Sequence, residues 1–255
     1  MKTIAVTIQK GGTCKTTTAA ALAAGLSLHG KKVLSIDLDP QGDLSFAFAT
    51  HPEVPSSMDV LYGHTKAEEA VQHTAQGDII AAAPALSGAD LKLASSADGA
   101  RKLKEALGPV KRKYDYIVID TPPALGALTV NALSAADDII IPAQANVFSL
   151  KAIRQLAATI EAVRNTTNPT LVISGILLCK YDRRPIIQRD NANALKNEAI
   201  RLHTKLFNSR IRNCTAVQEA QLVQENIFTY APKSHAAEDY RSFVSEFLAD
   251  DREGL

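Results

Sequence analysis

Nine residues, Gln9-Lys10-Gly11-Gly12-Thr13-Cys14-Lys15-Thr16-Thr17, constrain this chain more than any other stretch of it. They follow a β-type run from Lys2 to Ile8, with Ile4, Val6 and Ile8 expected on one face. They open a helical pattern from about Lys15 to His29, where Leu22 and Leu26 stand i, i+4 on an alanine surface and Gly30 supplies a stop. A strand, a glycine-bearing loop and a helix N-terminus make an anion cradle. Backbone N–H groups without helical partners point at the ligand, and the helix dipole favours negative charge. Lys15 adds a point charge suited to β- and γ-phosphates, and the Thr16 hydroxyl suits Mg²⁺. The expected ligand is a nucleoside triphosphate.

Apolar β-branched runs alternate with helical patterns along the rest of the chain. Strands are expected at Val33 to Ile36, Asp78 to Ala81, Tyr114 to Ile119, Asp138 to Ile141 and Leu171 to Leu178. Residues 43–78 read as short helical pieces broken by prolines, and Gly99 to Lys111 as a helical stretch. Continuous apolar strands separated by helices imply an α/β fold, a doubly wound and mostly parallel sheet with helices on both faces. Such sheets bind ligands at the carboxyl ends of their strands. The loop at residues 9–17, the pair Asp37/Asp39 and Asp120 all fall at such ends. Asp120, closing Tyr116-Ile117-Val118-Ile119, is placed to hold a magnesium hydration shell, and Asp39 to orient an attacking water. Asp37 would serve the magnesium shell or pair with a lysine. With 255 residues and 46% hydrophobic content, one domain over residues 1–255 buries a sufficient core.

The loop departs from the common G-x-x-x-x-G-K-[ST] pattern at three positions: Gln9, the added Lys10, and Cys14 in place of the glycine before the functional lysine. Lys-Gly-Gly-x-x-Lys-Thr-Thr resembles the deviant Walker A loop of the ParA/MinD family of P-loop ATPases. Asp37-x-Asp39-Pro40-Gln41-Gly42, Leu128 to Leu133 and Ile140-Ile141-Pro142 resemble the same family over roughly residues 1–250. The resemblance implies ATP and Mg²⁺ as cofactors and slow ATP hydrolysis by a homodimer formed with ATP. It gives Lys10, Lys15 and Asp39 catalytic roles, with Lys10 reaching the phosphates of the other subunit. Lys10, Gly11, Gly12, Thr13, Cys14, Lys15, Thr16 and Thr17 would hold the phosphates, and Thr16, Asp39 and Asp120 the metal. Asp120 also counts among the nucleotide residues, and Asp182, Arg212 and Asn213 would lie near the adenine. Cys14 takes a position that needs φ > 0, which a side chain disfavours by roughly 1 kcal/mol or more. Weaker nucleotide binding or a re-shaped loop is the expected consequence.

The subgroup follows from what is missing. The last helical pattern places Tyr240, Phe243, Val244, Phe247 and Leu248 on a core stripe, and its polar face carries Glu238, Asp239, Glu246, Asp250 and Asp251, which would repel anionic lipid. Cys14, Cys179 and Cys214 suit neither a disulfide framework nor a metal pair. No signal peptide or bilayer-length apolar run is seen, and the sequence starts at its first strand without an N-terminal DNA-binding extension. A short ParA/Soj-like partition ATPase remains, cytoplasmic and nucleoid-associated, with no membrane partner. Net charge is +1, so contact with DNA must be local. Nine basic and three acidic residues between Lys180 and Arg212 offer such a stripe. Arg183, Arg184, Arg189, Arg210 and Arg212 are the candidates for sequence-independent contacts with double-stranded DNA phosphates. A ParB-like or ribbon-helix-helix adaptor would stimulate hydrolysis. A membrane-associated MinD-like ATPase, a positioning ATPase for a protein cargo and a metabolic ligase are the alternatives.

Overall fold

Eight strands join in one sheet in the computed structural model, which describes residues 1–96 and 98–253. They are β1 (Lys2–Val6), β2 (Val33–Asp37), β3 (Val71–Thr74), β4 (Gly77–Ile80), β5 (Tyr116–Asp120), β6 (Asp138–Ala143), β7 (Val172–Cys179) and β8 (Leu206–Ile211). Their order is β3-β4-β2-β5-β1-β6-β7-β8, and every neighbouring pair is parallel except β3 with β4. The chain winds from β1 to one side through β2 to β4, then to the other side through β6 to β8. The direction of winding therefore reverses at β1, and ligand crevices of such sheets open where it reverses, at the strands' carboxyl ends. The expected mostly parallel, doubly wound sheet of a P-loop fold is the one found. Residues 97, 254 and 255 of the domain expected over 1–255 lie outside the described residues.

Alternation along the buried strands feeds two apolar layers. Ile4, Val6 and Val118 pack with Leu22, Leu26, Tyr240 and Phe243 on one face. Ala5, Ile117 and Ile119 pack with Leu133, Ile139, Leu156 and Ile160 on the other. Ile8, expected beside Ile4 and Val6, instead joins the layer of Ala5. The strand ends at Val6, and the tight turn in which Lys10 N–H donates to the Ile8 carbonyl (2.8 Å) breaks the two-residue period.

The helix Lys15–Leu28 ends as its sequence requires, with Gly30 at φ 73° just beyond it. Its alanines let it lie close to both the sheet and the C-terminal helix His235–Glu253. Tyr240, Phe243, Val244 and Phe247 of that helix are at most 2% exposed, as the stripe implied. Its acidic residues have a structural use. Glu246 accepts the backbone N–H groups of Asn208 and Ser209 (both 2.8 Å), which closes part of the free edge of β8. Asp250 pairs with Lys205, and Asp251 with Lys2.

The stretch from Gly99 to Lys111 is not one helix. It divides into a 3₁₀ turn Gly99–Arg101, a helix Lys102–Leu107 and a second 3₁₀ turn Val110–Lys113. Gly108-Pro109 makes the break, since proline brings no N–H to continue the ladder. Residues 43–78 hold the helices Asp43–Ala47 and Ser57–Leu61 and also β3 and the start of β4, which turn back on each other as an antiparallel hairpin.

A methyl group on Gly25 would stand 2.6 Å from Val244 Cγ2, inside any real contact, in a side chain that is stiff and fully buried. Gly25→Ala gains helix propensity yet overpacks this helix pair, for a net loss of about 1–2 kcal/mol, or roughly 2–8 °C in Tm. Thermal unfolding of Gly25→Ala beside Gly25→Ala/Val244→Ala checks this: the second substitution should return part of the lost stability.

Candidate active site

The loop after β1 is held open by its own side chains and by two neighbouring strand ends. Thr13 Oγ1 donates to the Lys10 carbonyl (3.0 Å), and Lys15 Nζ donates to the same oxygen (3.3 Å). The Gly12 carbonyl accepts Gln144 Nε2 (3.0 Å) from beyond β6 and Lys180 Nζ (3.3 Å) from beyond β7. Gly12 has φ 72°, and Cys14 has φ 69° and ψ 27°. The cysteine therefore adopts the left-handed conformation of the glycine it replaces, at a cost of about 1–2 kcal/mol. The loop therefore stores strain at Cys14. A Cβ built on Gly11 or Gly12 meets nothing within 4 Å, so both residues border open space in the cleft.

Three carboxylates stand under this loop. Asp37 and Asp120 are register partners at the ends of β2 and β5, and both are fully buried. Asp37 neither pairs with a lysine nor is free for a metal. It accepts Asp39 N–H (3.0 Å), Ser45 N–H (2.8 Å) and Ser45 Oγ–H (2.7 Å), which anchor the loop that carries Asp39. Asp39, 8% exposed, reaches the cleft and accepts Gln41 N–H (3.0 Å).

Asp120 differs from both. Neither carboxylate oxygen has a hydrogen bond of ordinary geometry, although the Thr16 hydroxyl lies close enough to draw its pKa down somewhat. Burial, then the charge of Asp37, push Asp120 well above the usual carboxylate range. Burial also raises Asp37, to about 6, with the Asp39 charge adding to the effect and the bonds from Ser45 and Asp39 N–H opposing it. Lys15 is 7% exposed, and burial lowers its pKa despite Asp120, Asp39 and Asp43. A buried, unpartnered carboxylate beside a hydroxyl and a second carboxylate has the hard oxygen donors that Mg²⁺ takes. Thr16, Asp39 and Asp120 thus fit the metal on grounds of chemistry.

Gly11, Gly12, Cys14, Lys15, Thr16, Thr17 and Asp39 line one cleft, closed on its far side by Arg212, Asn213 and Gln218. Thr13 is buried behind it. Asp182 is not among the lining residues. It closes on the Arg184 guanidinium (2.8–3.1 Å) in an adjoining hollow. Lys10 also stands apart from the cleft: its Nζ donates to Asn146 Oδ1 (3.0 Å) and lies 5.8 Å from the centre of the Phe148 ring. The basic stripe is partly spent. Arg212 is bound by Asp239 and Glu238, Arg201 and Arg154 by Glu198, Lys205 by Asp250, and Arg184 by Asp182. Arg210 lies over the Tyr181 ring at 4.8 Å. Arg183 and Arg189 are exposed with no ion pair among the described residues. Gln144, Asn146 and Lys180, which support the loop and Lys10, were not singled out for those roles from the sequence. They are polar residues just past strand ends, where sequence alone gives no partner.

A phosphate loop between the central strand and a helix, with a buried carboxylate at the neighbouring strand end, defines a P-loop nucleotide-binding α/β protein. The family model described as "AAA domain" matches residues 1–173. The chain is 35% identical over 253 residues to the sporulation initiation inhibitor protein Soj of Bacillus subtilis, covering 98% of this chain and 99% of that one. It is 34% identical over 259 residues to the chromosome partitioning protein ParA of Caulobacter vibrioides, covering 99% and 96%. Among solved structures, cobyrinic acid a,c-diamide synthase from Mycobacterium smegmatis with a bound ATP analogue and magnesium superposes with a TM-score of 0.86 at 33% identity, covering 100% and 97%. The chain belongs to the ParA/Soj family of P-loop ATPases. Solved neighbours hold ADP with magnesium, an ATP analogue with magnesium, or ATP.

The raised Asp37 has a consequence for stability. The folded protein keeps this proton up to about pH 6, whereas the unfolded chain releases it near 3.8. Its stabilising contribution is complete below the unfolded value and is lost as pH rises towards 6. The unfolding free energy of wild type minus that of Asp37→Asn should therefore fall by about 2 kcal/mol between roughly pH 4 and pH 6.5. Urea unfolding of the nucleotide-free proteins across that range measures it, and a flat difference would contradict the assignment.

Proposed function

We propose that this chain is a single-domain, cytoplasmic, nucleoid-associated partition ATPase. It works as an ATP-dependent homodimer that binds double-stranded DNA without reading sequence, and slow hydrolysis resets it. The observation that carries this reading is Lys10. A lysine needed by its own phosphates would turn into the cleft beside Lys15; this one is turned outward and held by Asn146. It stands beside Val147 and Phe148, which are 65% and 72% exposed, so charge and apolar area share one face next to the phosphate loop. A second copy meeting that face would receive Lys10 on its phosphates and cover Phe148.

Within one subunit, Lys15 and the loop N–H groups hold the β- and γ-phosphates, and burial keeps water from competing for them. Mg²⁺, held by Thr16, Asp120 and Asp39, would neutralise charge on the phosphate oxygens. Asp39, fixed by its turn through Gln41 and Asp37, orients the attacking water. Arg183, Arg189 and Lys196 are exposed cations of the stripe without carboxylate partners among the described residues, and, unlike Lys180, which bonds the Gly12 carbonyl, they are the preferred phosphate contacts on DNA. Arg212, bound by Asp239, is the weakest of the named candidates. A ParB-like or ribbon-helix-helix adaptor would accelerate hydrolysis and release the subunits. The relatives' names, Soj and ParA, agree with chromosome or plasmid DNA as cargo. The amide-forming activity in the name of the Mycobacterium smegmatis neighbour is the second reading. Against it, no Cys/His pair lines the cleft among the described residues.

Two variants separate the roles. Lys10→Ala should bind ATP-Mg within about threefold of wild type by calorimetry yet stay monomeric in light scattering. Asp39→Ala should hydrolyse ATP about 10²-fold more slowly and accumulate as the dimer. A Lys10→Ala dimer would remove the proposed crossing contact. DNA retention adds a further check: Arg183→Glu/Arg189→Glu should dimerise normally but lose DNA binding, whose wild-type affinity should fall steeply with salt.

A further inference from the structure

Cys14 and Cys179 are 165 residues apart in sequence, yet the fold makes them neighbours around Thr18: the Cys14 carbonyl accepts Thr18 N–H (2.8 Å), Thr18 Oγ1 lies 3.9 Å from the Cys179 sulfur, and each thiol shifts the other's pKa. Cys14 opens the helix Lys15–Leu28, and Cys179 closes β7. Cys179 is 0% exposed, with its sulfur 3.9 Å from Thr18 Oγ1, which in turn lies 3.3 Å from the Tyr240 hydroxyl. Cys14 is half-buried and lines the nucleotide cleft. One thiol of the contact is thus reached from solvent, and the other is sealed directly behind it.

The backbone on both sides of the contact is strained. Cys14 has φ 69°, and Lys180, next to Cys179, has φ 52°; both are conformations that favour glycine. A side chain kept at such a position, where glycine would relieve about 1–2 kcal/mol, calls for a use of that side chain. The neighbouring bond from Lys180 Nζ to the Gly12 carbonyl already fastens the end of β7 to the phosphate loop.

We propose that Cys14 and Cys179 are a reversible thiol–disulfide site that closes the nucleotide cleft when a peroxide is present. The Cys14 sulfur attacks a peroxide oxygen: an S–O bond forms, the O–O bond breaks, and the first water leaves with the thiol proton. The Cys179 sulfur then attacks the Cys14 sulfur: the S–S bond forms, the S–O bond breaks, and the departing hydroxide leaves as a second water with the Cys179 proton. Two thiols are oxidised and one hydrogen peroxide is reduced to two waters. The bond draws the sulfurs to about 2.05 Å with the Cβ atoms near 3.8 Å, closer than two unbonded thiols. Cys14 carries one of the cradle N–H groups, so pulling it towards β7 moves that donor off the phosphate position. The effect on ATP rests on the ATPase reading above; the disulfide itself does not.

The test uses the full chain without nucleotide. It is treated with a few equivalents of hydrogen peroxide, alkylated, and digested without reductant for mass spectrometry, and ATP-Mg affinity is measured by calorimetry before and after. The expected result is a Cys14–Cys179 linked peptide and an affinity loss of about tenfold or more, reversed by dithiothreitol. Cys179→Ala and Cys179→Ser should bind ATP as the reduced wild type does, with no loss on oxidation. Recovery of Cys14 only as unlinked or over-oxidised peptide, or linked to Cys214, would overturn the proposal, as would a Cys14–Cys179 disulfide that leaves ATP affinity unchanged. Failure of the reduced wild type to bind ATP would instead overturn the ATPase reading, and the linked peptide would still decide the disulfide.

Discussion

Parallel pairing of β2 with β5 sets Asp37 directly beside Asp120 at the buried end of both strands, and the cleft depends on that register. Two carboxylates side by side in an apolar interior cannot both stay ionised without a cation, and burial moves both towards the protonated form. The fold answers differently for each. Asp37 receives three hydrogen bonds and becomes the anchor of the Asp39 loop. Asp120 receives none of good geometry and faces Lys15 and Thr16. A divalent cation placed there would invert the local electrostatics, ionising Asp120 and adding to the positive field on the phosphates. Binding of a metal-bound polyphosphate there would relieve the cost of burying the two carboxylates side by side.

The phosphate loop makes the complementary point for the backbone. Its carbonyls are turned inward and consumed: that of Lys10 by Thr13 and Lys15, that of Gly12 by Gln144 and Lys180. Gly11 and Gly12 border open space in the cleft, and the N–H groups of a helix start suit an anion there. Cys14 shows how strongly this arrangement is imposed. The surrounding bonds hold a side-chain-bearing residue at φ 69° without letting the loop relax.

Much of this was legible in the chain because the signals are local. The glycine loop between strand and helix, the terminal aspartates of β2 and β5, and the i, i+3, i+4 stripe of the last helix each reside in a few consecutive residues, and the fold confirms the placement of each. What escaped reading was set by distant contacts. The departure of Ile8 from the face of Ile4 depends on a turn that periodicity does not encode. The acidic residues of the last helix read as a solvated face, but they fasten the edge of β8 and neutralise part of the basic stripe. The sum of charges between Lys180 and Arg212 therefore overstates the field on that surface. The contact of Cys14 with Cys179 joins positions whose sequence spacing carries no signal at all.

The same long-range bonds tie the phosphate loop to the outer surface of the molecule. Gln144 and Lys180, which grip the Gly12 carbonyl, sit in the two connections that lead into the helices Val147–Thr166 and Ile186–Arg201. The first of these helices presents Phe148 beside Lys10, and Arg183 and Arg189 flank the start of the second. The Gly12 carbonyl is thus shared by both connections, which joins the surfaces around Phe148 and Arg183 to the phosphate loop through one atom.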